Sequence, residues 1–205
     1  PGEPVPRAAQ HFSAMAEQPE MGTSHFSIVD AQGRAVAMTT TLEDAFGARQ
    51  MVKGFLLNNE LTDFSFVPAD PQGRPIANRV EPGKRPRSSM SPTLVSDKTT
   101  GQLLMSGGSP GGALIIHYTA KLLAGTLHWG LNAQQAVSLP NFGSLNGPTL
   151  LEEKRFPVST VDALKARGHE VREMEMTSGL QAIERTPTGW FGGADPRREG
   201  VVLGD

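Results

Sequence analysis

Gly22-Thr23 is the bond where this chain could do covalent chemistry. Thr23 offers a hydroxyl, and cutting the bond in front of it would add a free α-amine to the same residue. Nucleophile and base would then share one residue. An α-amine has an unperturbed pKa of ~7.7–8.0, so it can take the hydroxyl proton near neutral pH, whereas in the uncut chain that nitrogen is an amide and cannot. Three other clusters could serve such an attack. Gly111-Gly112 precede an apolar run, where the N–H groups of a helix start lack intrahelical partners and favour negative charge; two glycines let a substrate come close, which makes this turn a candidate oxyanion hole. Glu60 and Asp63, three residues apart after Asn58-Asn59, could converge on one cation, and Ser88-Ser89 offer two hydroxyls and backbone donors. Each cluster also has an ordinary reading: a turn into a strand, a helix start, a solvated acidic turn and a loop pair.

The elements that must hold these residues can be read from periodicity and punctuation. Runs at 24–30 and 34–41 flank Gln32-Gly33 and predict an antiparallel hairpin. Ala35-Val36-Ala37-Met38 is small and apolar on both faces, as in a buried central strand, and Thr41 ends that run as a β-branched strand residue. Phe46-Gly47 marks an irregular crossover, after which Gly54-Phe55-Leu56-Leu57 is expected to enter the core. Prolines at 68, 71, 75, 82, 86 and 92 predict a long surface loop from Phe66 to Pro92. Thr93–Ser96 and Gln102–Ser106 read as a strand pair. Ala113–Ala124 reads as a helix packed against sheet, and Asn132–Val137 as a short helix. Ser159–Arg167 reads as a third, capped by Ser159 and stopped by Gly168. Strands are expected at His169–Arg172, Leu180–Arg185 and Trp190-Phe191. Residues 1–22, rich in proline, read as a linker that needs a partner surface, with a turn or two of helix at Ala8–Phe12. Two strand blocks separated by helices suggest stacked sheets with helices outside.

The composition is that of a soluble globular protein: 205 residues, 38% hydrophobic, 20% charged, net charge −2. No basic block points to nucleic acid, and no apolar run reaches the ~18 residues that span a bilayer. With no cysteine, neither a disulfide framework nor a thiolate metal site is possible. His11, His25, His117, His128 and His169 lack the paired spacing of a helical zinc site, and His25, close to the nucleophile, reads as structural. Gly107–Gly112 lacks the Lys-Ser/Thr ending of a phosphate loop. No secretory signal is visible at Pro1, yet a chain opening in mid-linker is expected to have lost its true N-terminus.

Several motifs occur together in one order: Thr23–Asp30, Thr39-Thr40-Thr41-Leu42, Gly54–Ser65, Lys84-Arg85-Pro86-Arg87-Ser88-Ser89-Met90-Ser91-Pro92-Thr93, Gly108-Ser109-Pro110-Gly111-Gly112 and Gly193-Ala194-Asp195-Pro196-Arg197. In this the chain resembles the small catalytic subunit of γ-glutamyltransferases (glutathione hydrolases), preceded by the tail of the large subunit. The resemblance implies an α+β fold, the four-layer αββα sandwich of N-terminal nucleophile hydrolases, with 1–22 as large-subunit tail and 23–205 as the catalytic domain. It implies autoproteolysis at Gly22-Thr23 and γ-glutamyl transfer from glutathione or related amides, through an ester on Thr23, to water, an amino acid or a peptide. Thr41 would then hold the nucleophile by a hydrogen bond. Glu60 and Asp63 would bind the substrate α-amino group, and Ser88 and Ser89 its α-carboxylate. Glu43 departs from the Asn common at that position, and a third acid there could strengthen ammonium binding. The loop before Pro92 covers the position of a substrate lid. The large subunit of the same precursor is the expected partner and supplies an arginine for the α-carboxylate; no cofactor or metal is implied, and the setting would be periplasmic or extracellular. The rival within this fold is an acylase for glutaryl amides such as cephalosporin side chains, which Glu60 and Asp63 argue against because a glutaryl group has no ammonium. The rival outside enzymes is a non-catalytic interaction domain.

Overall fold

The computed structural model describes residue 13 and residues 22–204. Apart from Ser13 and Gly22, the expected linker and its turn of helix lie outside the described residues. By contacts the chain divides into two units, one of 1–20 and 42–88, the other of 21–41 and 89–205.

The second unit starts with the predicted hairpin. Strands β1 (Thr23–Val29) and β2 (Ala35–Thr41) pair antiparallel from Val29 opposite Ala35 to Thr23 opposite Thr41. Asp30 ties the turn, its Oδ1 accepting the N–H groups of Gln32 and Arg34, while Gly33 takes the positive φ of 78° that the turn requires.

The chain then crosses into the first unit, which holds little regular structure. Strands β3 (Met51–Val52) and β4 (Phe55–Leu56) form a two-residue ribbon around Lys53-Gly54. A 3-10 turn follows at Glu60–Asp63. From 66 to 92 neither helix nor strand forms, only isolated bridges, as the prolines dictate. Phe55 does not enter the core as expected: it is 74% exposed, because the ribbon has no sheet beneath it within its unit.

Back in the second unit, β5 (Thr93–Ser96) and β6 (Leu103–Gly108) precede a 3-10 turn at Gly112–Leu114, helix α1 (Ile115–Leu127) and helix α2 (Ala133–Ser138). Asn132 caps α2 in a capping box with Gln135. Next come β7 (Phe142–Gly143), β8 (Thr149–Glu152), α3 (Val158–Ala166), β9 (Val171–Met174), β10 (Gln181–Thr186) and β11 (Gly189–Ala194). The four-stranded sheet runs β11-β10-β6-β5, every pair antiparallel. A smaller sheet, β7-β8-β9, contains the one parallel pair among the described strands, bridged by α3.

Alternation along β6 fixes the layers. Met105 and Gly107 face the helices, where Met105 joins Tyr118, Leu122, Ala136 and Val137 in the core and a Cβ on Gly107 would fall 2.8 Å from Leu122. Ser106 and Gly108 face the hairpin: Ser106 Oγ donates to Ser27 Oγ at 2.8 Å, and Gly108 lies under the His25 ring. Helices, four-stranded sheet and hairpin are thus three successive layers of the αββα sandwich. The fold is α+β, of the N-terminal nucleophile hydrolase type.

Two further readings of elements change. The outer face of β2 is not buried, with Val36 at 49% and Met38 at 45% exposure, since the hairpin has a sheet against one face only. Helix α3 starts after Pro157, which serves as its N-cap, so Ser159 lies inside the first turn instead of capping it.

Candidate active site

Register puts Thr23 opposite Thr41, and the two hydroxyls meet: Thr23 Oγ1 donates to Thr41 Oγ1 at 2.9 Å. Thr23 is buried to 9% exposure. Its partner is a hydroxyl, which can orient Thr23 Oγ1 but is no base. His25, two residues along the same face, does not supply one. Its ring is held by Thr39 Oγ1 at 2.8 Å and Ser27 Oγ at 3.3 Å, and burial pushes its pKa down to about 4. At neutral pH the ring is therefore uncharged and packs between its hydroxyl partners, in keeping with its structural reading. The α-amine that cleavage would create therefore fits the missing base.

Gly108 touches the His25 ring, so the turn that follows β6 leaves the sheet beside the start of β1. Ser109 is fully buried, donates its hydroxyl to Pro110 O at 2.6 Å and accepts the Gly179 N–H at 3.2 Å. Gly111 has φ 135° and Gly112 φ 58°; a Cβ on Gly111 would stand 2.5 Å from the Tyr118 ring, so only glycine fits. The turn's first bond is donated by Leu114 to Gly111 O at 3.2 Å, which leaves the N–H groups of Gly111 and Gly112 ahead of it. Two donors at a helix start suit a developing oxyanion.

The acids lie in the other unit. Glu43 is buried at φ 72°, and its Oε2 accepts from Asn59 Nδ2 and, at 2.8 Å, from Thr62 Oγ1. It braces the Asn58-Asn59 turn that leads into Glu60–Asp63. Asp63 is 6% exposed, and its buried Oδ1 accepts no hydrogen bond among the described residues. Among the described residues, Arg87 Nη2 stands 3.7 Å from that oxygen. Asn78 locks the pair's backbones together, donating Nδ2 to Asp63 O at 2.5 Å and accepting the Arg87 N–H at 3.0 Å. Ser88 closes this unit and Ser89 opens the next, where Ser89 O accepts from Ser91 Oγ at 2.9 Å. The structure thus groups Thr23, Thr41 and Gly111-Gly112 in one unit, and Glu43, Glu60, Asp63 and Ser88 in the other.

Sequence reasoning overlooked two features. Arg87 was visible only as one basic residue of a loop motif, with nothing to say that it would reach Asp63. The second is a buried polar network behind the helices. Lys121 is 2% exposed, and its Nζ donates to Val137 O at 3.3 Å, Leu139 O at 2.7 Å and Asn141 Oδ1 at 2.8 Å. Arg197 caps the same two carbonyls, forks onto Glu152 with both bonds at 2.7 Å and meets Asp195 at 2.9 Å. Asp195 accepts from the Leu180 N–H at 3.1 Å and from Ser178 Oγ, fixing the 178–180 segment whose Gly179 N–H reaches Ser109. A lysine amid the apolar run Tyr118–Ala124 was the available signal. Among the described residues no group of three or more histidines or carboxylates could hold a metal, and no helix is long and apolar enough to cross a membrane.

Comparison with known proteins follows the same lines. The family described as Gamma-glutamyltranspeptidase matches residues 3–205. Glutathione hydrolase proenzyme of Escherichia coli (strain K12) is 39% identical over 183 residues, which is 85% of this chain and 31% of that protein. A solved gamma-glutamyltranspeptidase from Pseudomonas nitroreducens, complexed with L-DON, superposes with a TM-score of 0.75 at 33% identity, covering 88% of this chain and 98% of that one. A cephalosporin acylase from Bacillus halodurans superposes with a TM-score of 0.72 at 27% identity, over 87% of this chain and 33% of that one. The chain spans about a third of the length of the curated relatives it matches, 31% to 35%.

Proposed function

The chain belongs to the gamma-glutamyltranspeptidase family, and we propose that it carries the catalytic machinery for transfer and hydrolysis of γ-glutamyl groups. The reading rests above all on the Thr23–Thr41 hydroxyl pair at the Gly22-Thr23 boundary. Residues 1–22 are the tail of a large subunit and 23–205 the catalytic subunit, released from one precursor by cleavage at that bond. The name proenzyme on the relatives supports a precursor, and the solved chain matched over 98% of its length supports a separate catalytic polypeptide.

After cleavage the Thr23 α-amine takes the hydroxyl proton while Oγ1 attacks the γ-carbonyl of glutathione or a related amide. The N–H groups of Gly111 and Gly112 hold the negative oxygen of the tetrahedral intermediate. The ammonium returns its proton to the departing amine, and the C–N bond breaks to leave an ester on Thr23. Water, an amino acid or a peptide then attacks the ester, giving up a proton to the α-amine as the Thr23 hydroxyl reforms. Thr41 orients Oγ1 throughout. Glu60 and Asp63 receive the donor's α-ammonium, with Glu43 holding their turn, and Ser88 and Ser89 receive its α-carboxylate together with an arginine of the large subunit. A periplasmic or extracellular setting belongs to the same proposal.

Acid quenching of the full-length, processed enzyme during turnover of a γ-glutamyl amide tests this reading. Peptide mass mapping is expected to find one glutamyl group on the peptide beginning at Thr23. A glutamyl adduct on another residue, or turnover with no adduct under conditions where deacylation limits the rate, would overturn it.

A further inference from the structure

We propose that Ser109 is a positioning residue for acyl transfer, its hydroxyl orienting and polarising the Gly111 N–H as an oxyanion donor. The inference rests on the acyl-transfer reading and extends it to what aims the donors. Gly111 and Gly112 sit at φ 135° and 58°. Two glycines in succession make a loose joint, so the directions of their N–H groups are fixed by what holds the turn from outside. A donor speeds acyl transfer when it already points to the place where charge develops. Ser109 supplies that hold through a peptide plane. Pro110 O and the Gly111 N–H belong to one planar trans unit and point in opposite directions, so a bond at the oxygen sets the direction of the N–H. The Ser109 hydroxyl donates to that oxygen at 2.6 Å.

The hydroxyl is itself aimed. Ser109 is fully buried, and its Oγ accepts the Gly179 N–H at 3.2 Å, which leaves its proton for Pro110 O. Gly179 is anchored from both neighbours, since Asp195 Oδ2 accepts from Ser178 Oγ and, at 3.1 Å, from the Leu180 N–H. A Cβ on Gly179 would fall 2.7 Å from Pro110 Cγ, so this segment lies directly against the turn it holds. The Tyr118 ring backs Gly111 in the same way. Gly179 N–H, Ser109 hydroxyl, Pro110 carbonyl and Gly111 N–H thus form one line of donors and acceptors in which each bond polarises the next. The oxyanion would stand at its end.

The test uses the processed full-length enzyme, wild type and Ser109→Ala, with γ-glutamyl-p-nitroanilide, the product L-glutamate, and a boronic acid that replaces the γ-carboxyl of the donor and forms a tetrahedral adduct on Thr23 Oγ1. In Ser109→Ala, kcat and boronate affinity are each expected to fall at least fivefold, while KM and L-glutamate affinity stay within twofold, because only the tetrahedral species carries the oxyanion. A fall in kcat of less than fivefold overturns the proposal, as does an equal loss of L-glutamate affinity, which would mark general damage to the site. Amide exchange followed by NMR on the wild type alone covers a variant that fails to fold or process. There the boronate is expected to slow Gly179 exchange at least threefold together with that of Gly111 and Gly112. Slowing at Gly111 and Gly112 with Gly179 unchanged overturns the proposal. Failure of the acyl-transfer reading itself is distinct: the wild type would then turn over no anilide, and the boronate would form no adduct at Thr23.

Discussion

Thr23 meets Thr41 because an antiparallel ladder without a bulge carries register faithfully from the Asp30–Arg34 turn to the far end of both strands. The bond matters for orientation, not charge. Thr41→Val keeps the shape and removes the acceptor, so kcat on a γ-glutamyl anilide is expected to fall about fivefold, as for one neutral hydrogen bond of ~1 kcal/mol, with KM little changed. An unchanged kcat in steady-state assays would show that Thr41 does not position the nucleophile. At this scale the sequence was most informative where chemistry imposes a residue type. Thr23, Gly111 and Gly112 could be singled out because a hydroxyl beside a scissile bond and two glycines ahead of a helix serve few other purposes together. Arg87 could not, since its meeting with Asp63 depends on a loop path from 66 to 92 that has no periodicity to read.

Elements were legible to the extent that one face repeats. The β1–β2 hairpin, the β5–β6 pair, α1 and α2 all declare themselves by alternation, helical spacing or caps. Strands β7 and β8 do not, being two and four residues long, and β8 buries Leu150, Leu151 and Glu152 in succession. The interior of α1 also conceals its most consequential residue. Lys121 is shielded from water, and burial, reinforced by the nearby Arg197 charge and opposed by Asp195 and Glu152, pushes its pKa down to about 7. An unfolded lysine keeps its proton to about 10.5. Between those values the unfolded chain binds more protons than the fold, so stability rises with pH through that window and is flat on this account below it. Lys121→Met removes the titration and leaves Val137 O and Leu139 O capped by Arg197. Urea denaturation from pH 7 to 10 is expected to show wild type gaining stability relative to the variant as pH rises; parallel curves would mean that Lys121 is not held near neutrality.

For the molecule as a whole, the outer face of the hairpin carries Phe26, Ile28, Val36 and Met38, each exposed by 39% or more and lying as neighbours across the ladder. A contiguous apolar sheet face suits the layer that a large subunit would add, and the strand that bears Thr23 is part of that same sheet. On the proposed reading, cleavage, subunit packing and catalysis would all be tied to one hairpin. On the same reading, the Thr23 hydroxyl of the full-length precursor is expected to attack the carbonyl of Gly22, so that the acyl group moves from nitrogen to oxygen and water releases the upstream chain with a new α-amine on Thr23. The most direct measurement is a time course of N-terminal sequencing and γ-glutamyl turnover on the purified precursor, for wild type, Thr23→Ala and Thr23→Ser. In wild type a new N-terminus at Thr23 and activity are expected to rise together; Thr23→Ala stays uncut and inactive, and Thr23→Ser cuts and turns over more slowly because loss of the methyl frees χ1. Cleavage at Gly22-Thr23 in Thr23→Ala, or wild-type turnover that precedes the cut, would contradict the account.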